Sequence, residues 1–420
     1  MALDPTKVRA EFPALRSGAI FLDNPGGTQV PVRVKERMDG YLATTNANHG
    51  GAFATSRASD AVIDEARTAV ADFLNARRPE EIVFGPNMTT LTFAMSRALA
   101  AGWQEGDEIV VTRLDHDANI LPWTLAARDR GVTVRWLDID VEDCTLRLDQ
   151  LDGLLNERTR MVAVGYASNA VGTINLVPQI AEAAHRVGSL CYVDAVQYAP
   201  HGPIDVQALD CDFLVVSTYK FYGPHLGALY GKYERLEATP AYKVRPAPDQ
   251  PPGKFETGTP NFEGIAGALG ALEYLAEIGE TDGAEHGERY ATDFRGRRRS
   301  LKQAMAAIRS YETDLCRTLI ETLSAVPGLR IYGIQDPRKL DRRVPTVSFT
   351  LEGIHPRQAA ERLDQAGIYV WDGNYYALAL SQRLGVEDRG GMIRVGLAHY
   401  NVREEILRLG EVLEGVARSR

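Results

Sequence analysis

Cysteine is scarce in this chain: four residues among 420, at Cys144, Cys191, Cys211 and Cys316. None stands in a CxxC or Cys/His ligand spacing, so neither a disulfide framework nor a zinc site is expected, and no metal is assigned. Long apolar runs are missing too. No stretch approaches the roughly 18 apolar residues that mark a membrane-spanning helix, so no membrane partner is expected. Basic residues are outnumbered, 47 Lys and Arg against 56 Asp and Glu, for a formal net charge of −9. That balance argues against nucleic acid as a partner. The segment MALDPTKVRAEFPALR mixes charged and apolar residues without an apolar h-region, so it does not read as a secretory signal. A reduced, cytoplasmic setting is the resulting expectation. No internal repeat or low-complexity tract is visible.

What remains is ordinary globular composition, 45% apolar and 25% charged, which excludes collagen-like and disordered classes. At roughly 100–200 residues per domain, the length suggests two or three domains or one large domain with an appendage. Short β-branched runs at Glu108–Thr112, Val132–Ile139, Arg160–Ser168, Leu190–Val196, Phe213–Ser217 and Gly227–Gly231 read as strands. Helix-period segments lie between them, among them Ala58–Asn75 and Val177–Val187. Strand–helix alternation of this kind predicts right-handed crossovers and a mostly parallel sheet covered on both faces. The last third changes character. A long charged helical region is expected from about Glu273 to Val326, and its Arg295, Arg297, Arg298 and Arg299 read as a solvated helix face, with an anion or partner patch as the alternative. Then come strand Pro345–Leu351, helix Pro356–Ala366, strands Ile368–Trp371 and Gly391–His399, and helix Val402–Val416. Asn401 with Glu404 before that last helix is close to a capping box. The Pro-rich Arg245–Gly253 reads as a loop. The expected fold class is α/β, with a large domain over residues 20–285 and a smaller α+β domain formed by 1–19 and 286–420.

Ligands of an open parallel sheet bind outside the carboxyl ends of its strands. His116, Asn169, Asp194, Gln197 and Lys220 all fall at or just beyond those ends. Singly, each has an ordinary reading: a surface lysine, a turn aspartate, a hydrogen-bonded structural histidine. Together they supply an amine for a Schiff base, a carboxylate for a ring nitrogen and a flat ring for stacking. Those are the needs of pyridoxal phosphate, an electron sink tuned by the protein.

The segment CYVDAVQYAPHGPIDVQALDCDFLVVSTYKFYGPHLGALYG resembles the core of class V aminotransferases, most closely the SUF-type cysteine desulfurases. The likeness extends to FLDNPGGTQVP, NANHGG, LDHDANILPW, ASNAVGTIN, FETGTPNFEG and IRVGLAHYN. It implies a fold type I enzyme dependent on pyridoxal 5'-phosphate. By this resemblance Lys220 holds the cofactor as a Schiff base and later moves the Cα proton. Asp194 pairs with the pyridinium nitrogen, and His116 stacks on the ring. Gln197 and Asn169 lie near the ring oxygen. Met88 and Thr89 meet the phosphate through backbone N–H groups at a helix start. Ser217 and Tyr219 reach the same phosphate, Tyr219 standing where desulfurases commonly have His. Thr259 reaches it from a second subunit, which implies a homodimer with composite sites. Arg394 clamps the substrate α-carboxylate with its planar fork.

The pattern breaks at one place. Desulfurases of this type carry a thiol in a stretch like R-x-G-x-x-C-A. Here Trp371-Asp-Gly-Asn-Tyr-Tyr-Ala377 places Trp371 at the Arg and Tyr376 at the Cys. A phenol, with a pKa of about 10, forms no persulfide. The expectation is therefore a β-lyase cleaving the C–S bond of cysteine or an S-substituted cysteine. Trp371, Tyr375 and Tyr376 would wall the substrate side chain, or else simply pack as a loop. Transamination, epimerisation and a non-catalytic partner role stay open as alternatives.

Overall fold

The computed structural model describes residues 3–418. Thirteen strands fall into three sheets among those residues. The first strand, β1 (Ile20–Phe21), stands apart from the main sheet. The main sheet is built from β2 (Ile82–Gly85), β3 (Glu108–Thr112), β4 (Thr133–Leu137), β5 (Thr159–Gly165), β6 (Leu190–Asp194), β7 (Phe213–Ser217) and β8 (Gly227–Gly231). Their spatial order is β2-β8-β7-β6-β5-β3-β4. Neighbours from β7 to β4 run parallel, and only β8 is reversed against both β7 and β2.

Alternate residues of each strand enter different cores. Val110, Val162, Val164, Val193, Leu214 and Val216 face one apolar cluster with the helices Ala54–Leu74, Val177–Arg186 and Phe262–Glu280. Ile109, Val111, Met161, Ala163, Tyr192, Phe213 and Val215 face another, with the helices Met88–Ala100 and Leu121–Arg130. Burial on both faces is why these strands are apolar without alternation.

The second sheet holds β9 (Leu329–Tyr332), β10 (Thr346–Leu351), β12 (Trp371–Gly373) and β13 (Met392–Gly396), all antiparallel, in the order β12-β13-β10-β9. Between β10 and β12 lies β11 (Ile368–Tyr369), which pairs in parallel with β1. The expected strand Ile368–Trp371 is thus two strands in two sheets. Helices Pro356–Gln365 and Arg403–Arg418 contribute Ala359, Leu363, Ile406, Leu409 and Leu413 to this sheet's core. The long helix Gly296–Ser324 belongs to both regions. Leu301, Ala304, Met305 and Ile308 pack into the main core, while Leu315, Leu319 and Leu323 pack into the second.

Three expectations need correction. The charged helical region is not continuous: one long helix ends at Glu280, a single short turn of α-helix follows at Gly287–Tyr290, and the second long helix begins only at Gly296. The two long helices cross so closely that a Cβ on Gly279 would lie 1.8 Å from the Ser300 carbonyl oxygen. That contact requires the chain to turn back. The arginine cluster is only partly a solvated face: Arg295 is exposed, but Arg297 and Arg298 both bind Asp72, at 3.0 and 3.1 Å. The last helix is capped by Glu405 and not Glu404: Glu405 Oε2 accepts the Val402 N–H (3.2 Å) and the Asn401 amide (2.8 Å). The segment 245–253 is a loop as expected.

The two sheets meet at the turn after β5. The Val344 N–H donates to the Gly172 carbonyl (2.8 Å), and Arg343 Nη2 donates to the Val171 carbonyl (3.2 Å). Gly172 has φ +77°, and an added Cβ would sit 2.5 Å from the Thr346 oxygen and 2.7 Å from that of Val344. Left-handed strain and the clash act together, so Gly172→Ala should cost about 2 kcal/mol or more. Thermal unfolding measures the loss, and a midpoint within error of wild type contradicts it.

Candidate active site

A cavity of about 560 Å³ opens where the carboxyl ends of the parallel strands face the second sheet. Each strand delivers its contribution in turn. Met88 and Thr89 follow β2, Asp115 and His116 follow β3, and Asn169 follows β5. Asp194 ends β6, with Gln197 beyond it, and Tyr219 and Lys220 follow β7. The opposite wall comes from Trp371, Asp372, Gly373, Asn374, Tyr375 and Tyr376, with Arg394 on β13 and Gly390 and Gly391 before it. Pro25 and Gly26 close the remaining side.

Desolvation governs the ionisable groups. Burial pushes the Asp194 carboxyl up to about 7, and neighbouring Asp115 adds to the rise; the Val196 N–H at 2.9 Å and Lys220 oppose it. Burial lowers the Lys220 ammonium to about 7, and the nearby Arg394 guanidinium lowers it further. Lys220 Nζ donates to the Pro25 carbonyl and lies 4.8 Å from the Tyr219 ring centroid. Arg394 is itself lowered to about 10 by burial. Its Nη1 donates to the Asn169 carbonyl (2.9 Å), its Cζ lies 4.3 Å from the Tyr375 ring centroid, and Nε has no partner. His116 is held neutral, its pKa pushed down to about 3 by burial and by the Lys220 and Arg394 charges. Its Nδ1 accepts the Ala118 N–H at 3.0 Å, which leaves the proton on Nε2.

The loop after β12 is strained and pinned. Tyr375 and Tyr376 both have positive φ, 55° and 60°. Such a conformation costs a non-glycine residue about 1–3 kcal/mol and persists only where neighbours impose it. Asn169 Nδ2 donates to the Tyr375 carbonyl (2.9 Å), and the Asp117 N–H donates to that of Tyr376 (2.7 Å). Tyr376 then lies over His116, with ring centroids 5.4 Å apart and planes 21° apart. Tyr376 is 72% exposed and Trp371 50% exposed, so both aromatic rings stand at the mouth. A Cβ on Gly26 would lie 2.4 Å from Trp371 Nε1, so the indole rests on glycine backbone.

Two expected residues lie off the cavity. Ser217 is buried behind Met88, and its Oγ accepts the Met88 N–H at 3.2 Å. The Thr90 and Leu91 amides are engaged by Asn87. An anion at this helix start would therefore meet the Thr89 amide, and the Met88 side chain simply packs into the apolar core. Thr259 is exposed on a loop and does not line the cavity of its own chain. The remaining expected residues all line it. Sequence reasoning missed Asp115, Asn374 and Glu387. Asp115 stands beside His116 in LDHDAN but reads there as a turn residue. Its carboxylate accepts from Thr112 Oγ1 and Asn119 Nδ2, both at 2.7 Å, and burial raises it to about 6.

Unsatisfied groups surround the cavity. Asn169 Oδ1, Arg394 Nε and Asp23 Oδ1 are buried without partners. A buried carboxylate, a half-buried amine and a polarisable stacking ring face one space. That donor set fits pyridoxal phosphate: Asp194 for the pyridinium, Lys220 for the aldehyde carbon, and Thr89 with its helix start for the phosphate. Among the described residues no group of His, Cys, Asp and Glu could hold a metal ion, and no helix is long and apolar enough to cross a membrane.

The Asp194 shift has a stability consequence in cofactor-free protein. A carboxyl raised in the folded state binds its proton more tightly there, so its contribution is intact below about pH 4 and lost as pH rises towards 7. Asp194→Asn should flatten the fall in the unfolding midpoint across that window. An unchanged pH profile would show that Asp194 does not carry the cost.

The sequence model of the family "Aminotransferase class-V" matches residues 20–302 and 298–409. A cysteine desulfurase of Dickeya dadantii (strain 3937) is 34% identical over 423 residues, covering 96% of this chain and 94% of that protein. The aminotransferase-like protein FGM3 of Gibberella zeae is 35% identical over 419 residues, covering 97% of each. The apo cysteine desulfurase of Thermococcus onnurineus NA1 superposes with a TM-score of 0.88 at 28% identity, over 100% of both chains. The sheet order and the second antiparallel sheet are accordingly those of a fold type I architecture. With a family match spanning nearly its whole length and relatives alike along it, the chain belongs to the class V aminotransferases, as a pyridoxal 5'-phosphate-dependent enzyme of cysteine desulfurase-like type.

Proposed function

We propose that this enzyme is a β-lyase that cleaves the C–S bond of cysteine or an S-substituted cysteine. With water as co-reactant, the products are a thiol, pyruvate and ammonia. The observation that carries this reading is the composition of the cavity wall: an amine, a carboxylate pair and a guanidinium, but no thiol. Tyr376 occupies the loop position where the resemblance leads one to look for a cysteine. The four thiols lie buried elsewhere, off the cavity. Burial raises each thiol above its ordinary pKa, Cys144 to about 12. The thiolate, which is the nucleophile a persulfide requires, is therefore suppressed.

When bound, pyridoxal phosphate supplies a ring that accepts the electron pair left as Cα loses its proton. The chain's own residues do the rest. Arg394 is placed to bind the substrate carboxylate, since its buried fork has donor capacity unspent. Lys220, with its pKa near 7, has a free lone pair at neutral pH and can take the Cα proton. The departing sulfur leaves as thiolate towards the mouth, where Trp371 and Tyr376 are exposed. Those rings support a substituent larger than hydrogen on sulfur. Thr259 stands exposed and off its own cavity, which supports the expectation that it serves the site of a second subunit in a homodimer.

Products discriminate the outcomes. Cysteine, cystine and aryl or alkyl S-conjugates should yield pyruvate without alanine, and mass spectrometry should find no persulfide on any cysteine. Alanine with released sulfur would mean desulfuration, and keto acid with cofactor in the amine form would mean transamination. Lys220→Ala should lower kcat by about 1000-fold or more, since it removes the base and the covalent anchor together. Arg394→Lys should raise KM about tenfold or more through loss of the planar fork. A KM equal to wild type would remove Arg394 from substrate binding.

A further inference from the structure

Behind Gln197 lies a buried polar chain that the proposed reaction does not use. Gln197 Nε2 is 2.9 Å from Thr346 Oγ1 and 3.5 Å from His201 Nε2. His201 Nδ1 is 2.7 Å from Glu312 Oε2. His201 is 3% exposed and Glu312 1% exposed. The chain joins three parts of the fold: the turn after β6, the long helix Gly296–Ser324, and the start of β10. A small crevice, separate from the cavity, is lined by Arg309, Cys316, Arg343 and Pro345 together with His201 and Glu312.

A carboxamide can be turned half round about its last bond, which exchanges donor for acceptor. As seen here, both N–H groups of Gln197 point into the protein, and Oε1 is left for the cavity. His201 Nε2 must then be an acceptor, its single proton on Nδ1 and donated to the Glu312 carboxylate. Turned round, Gln197 Oε1 accepts from the Thr346 hydroxyl and from a protonated His201 Nε2, and the NH₂ group faces the cavity. That second arrangement needs one more proton on the His201–Glu312 pair. The ring oxygen of pyridoxal phosphate is an acceptor, so it matches the second arrangement and not the first.

We propose that the His201–Glu312 pair is the positioning device for Gln197, and that cofactor binding is coupled to uptake of one proton by this pair. The proposal rests on the reading of Gln197 as the partner of the ring oxygen. The surroundings leave the pair free to act. Glu312 also faces Arg309, Tyr222, Tyr311, Tyr400 and Cys316, and His201 faces His399. Of these only Arg309 is charged near neutral pH; Arg343, which lines the same crevice, is a second guanidinium, but its donors are taken up by the Ile334, Val171 and Thr346 carbonyls. Burial keeps His399 neutral, its pKa down at about 3, and holds the phenols and the thiol in their protonated forms. Glu312 Oε1 has no partner, so the carboxyl has capacity for the extra proton.

The test uses cofactor-loaded full-length protein, with Gln197→Leu, Glu312→Gln, His201→Leu, His201→Gln and the double variant Gln197→Leu/Glu312→Gln. The readouts are the absorption band of the bound cofactor, the pH at which that band titrates, and the dissociation constant for pyridoxal phosphate. Glu312→Gln and His201→Leu should each shift the band and its titration and weaken retention about tenfold, the size of one lost hydrogen bond to a charged group. His201→Gln keeps a polar group within reach of Gln197 and should restore the band. In the Gln197→Leu background, Glu312→Gln should add nothing, because the pair acts only through Gln197. If Gln197→Leu shifts the band while Glu312→Gln leaves it and its titration unchanged, the positioning role is wrong and the reading of Gln197 stands. Additive effects in the double variant likewise overturn it. If Gln197→Leu changes neither band nor retention, Gln197 does not meet the cofactor and the proposal falls with that reading.

Discussion

The structure depends on the desolvation of a few charges at one edge of a two-faced parallel sheet. Asp194 and Arg394 are buried and Lys220 is half-buried, and desolvation drives each towards its neutral form. A surface amine would keep its ordinary pKa and stay protonated at neutral pH, and so would be useless as a base. Burial is available there because helices cover both faces of the sheet, so the strand ends open into protein and not into water. The cost is carried by cores on either side, each filled by alternate residues of the same strands.

That edge is incomplete without the second sheet. Arg394 reaches the cavity from β13, where it stands opposite Trp371 of β12. The loop that follows is held in a strained conformation by hydrogen bonds from Asn169 and Asp117, both on the main-sheet side. The N-terminal FLDNPGGT segment ties the halves together. Pro25 accepts from Lys220, while Asn24 Nδ2 donates to the Gly396 carbonyl (2.8 Å) and to Asn401 Oδ1 (3.0 Å). One short segment thus touches the amine on one side and the strand carrying the guanidinium on the other. A shift between the sheets would move both groups, so the geometry at the substrate depends on contacts remote from it.

Much of this was legible in the chain. Strands Glu108–Thr112, Phe213–Ser217 and Gly227–Gly231 can be bounded from sequence, because doubly buried strands are continuous apolar runs ended by polar or glycine residues. His116, Asn169, Asp194, Gln197 and Lys220 can be gathered at one edge, because parallel topology puts every strand's carboxyl end on the same side. The failures have a common cause. Asp72 and the arginines near 297 are far apart in sequence, so a helix face that looks solvated is in fact partly paired. Gly279 forces a turn only because Ser300 packs on it. Ser217 looks like a phosphate ligand until the Met88 N–H is seen to occupy it.

The sequence by itself determined the alternation of strands and helices and the five polar residues at strand ends, since these follow from local apolar periodicity and residue type, while the resemblance to class V aminotransferases implied the cofactor and most of the other cavity-lining groups. It also determined that no thiol stands on the loop facing the cavity. Tertiary structure alone decided the electrostatic state of those groups and the partners behind them. Desolvation, the stacking of Tyr376 on His116 and the chain from Gln197 to Glu312 arise from contacts between segments up to hundreds of residues apart. A one-dimensional pattern records which groups are present, and only packing sets how much water and which charges surround them.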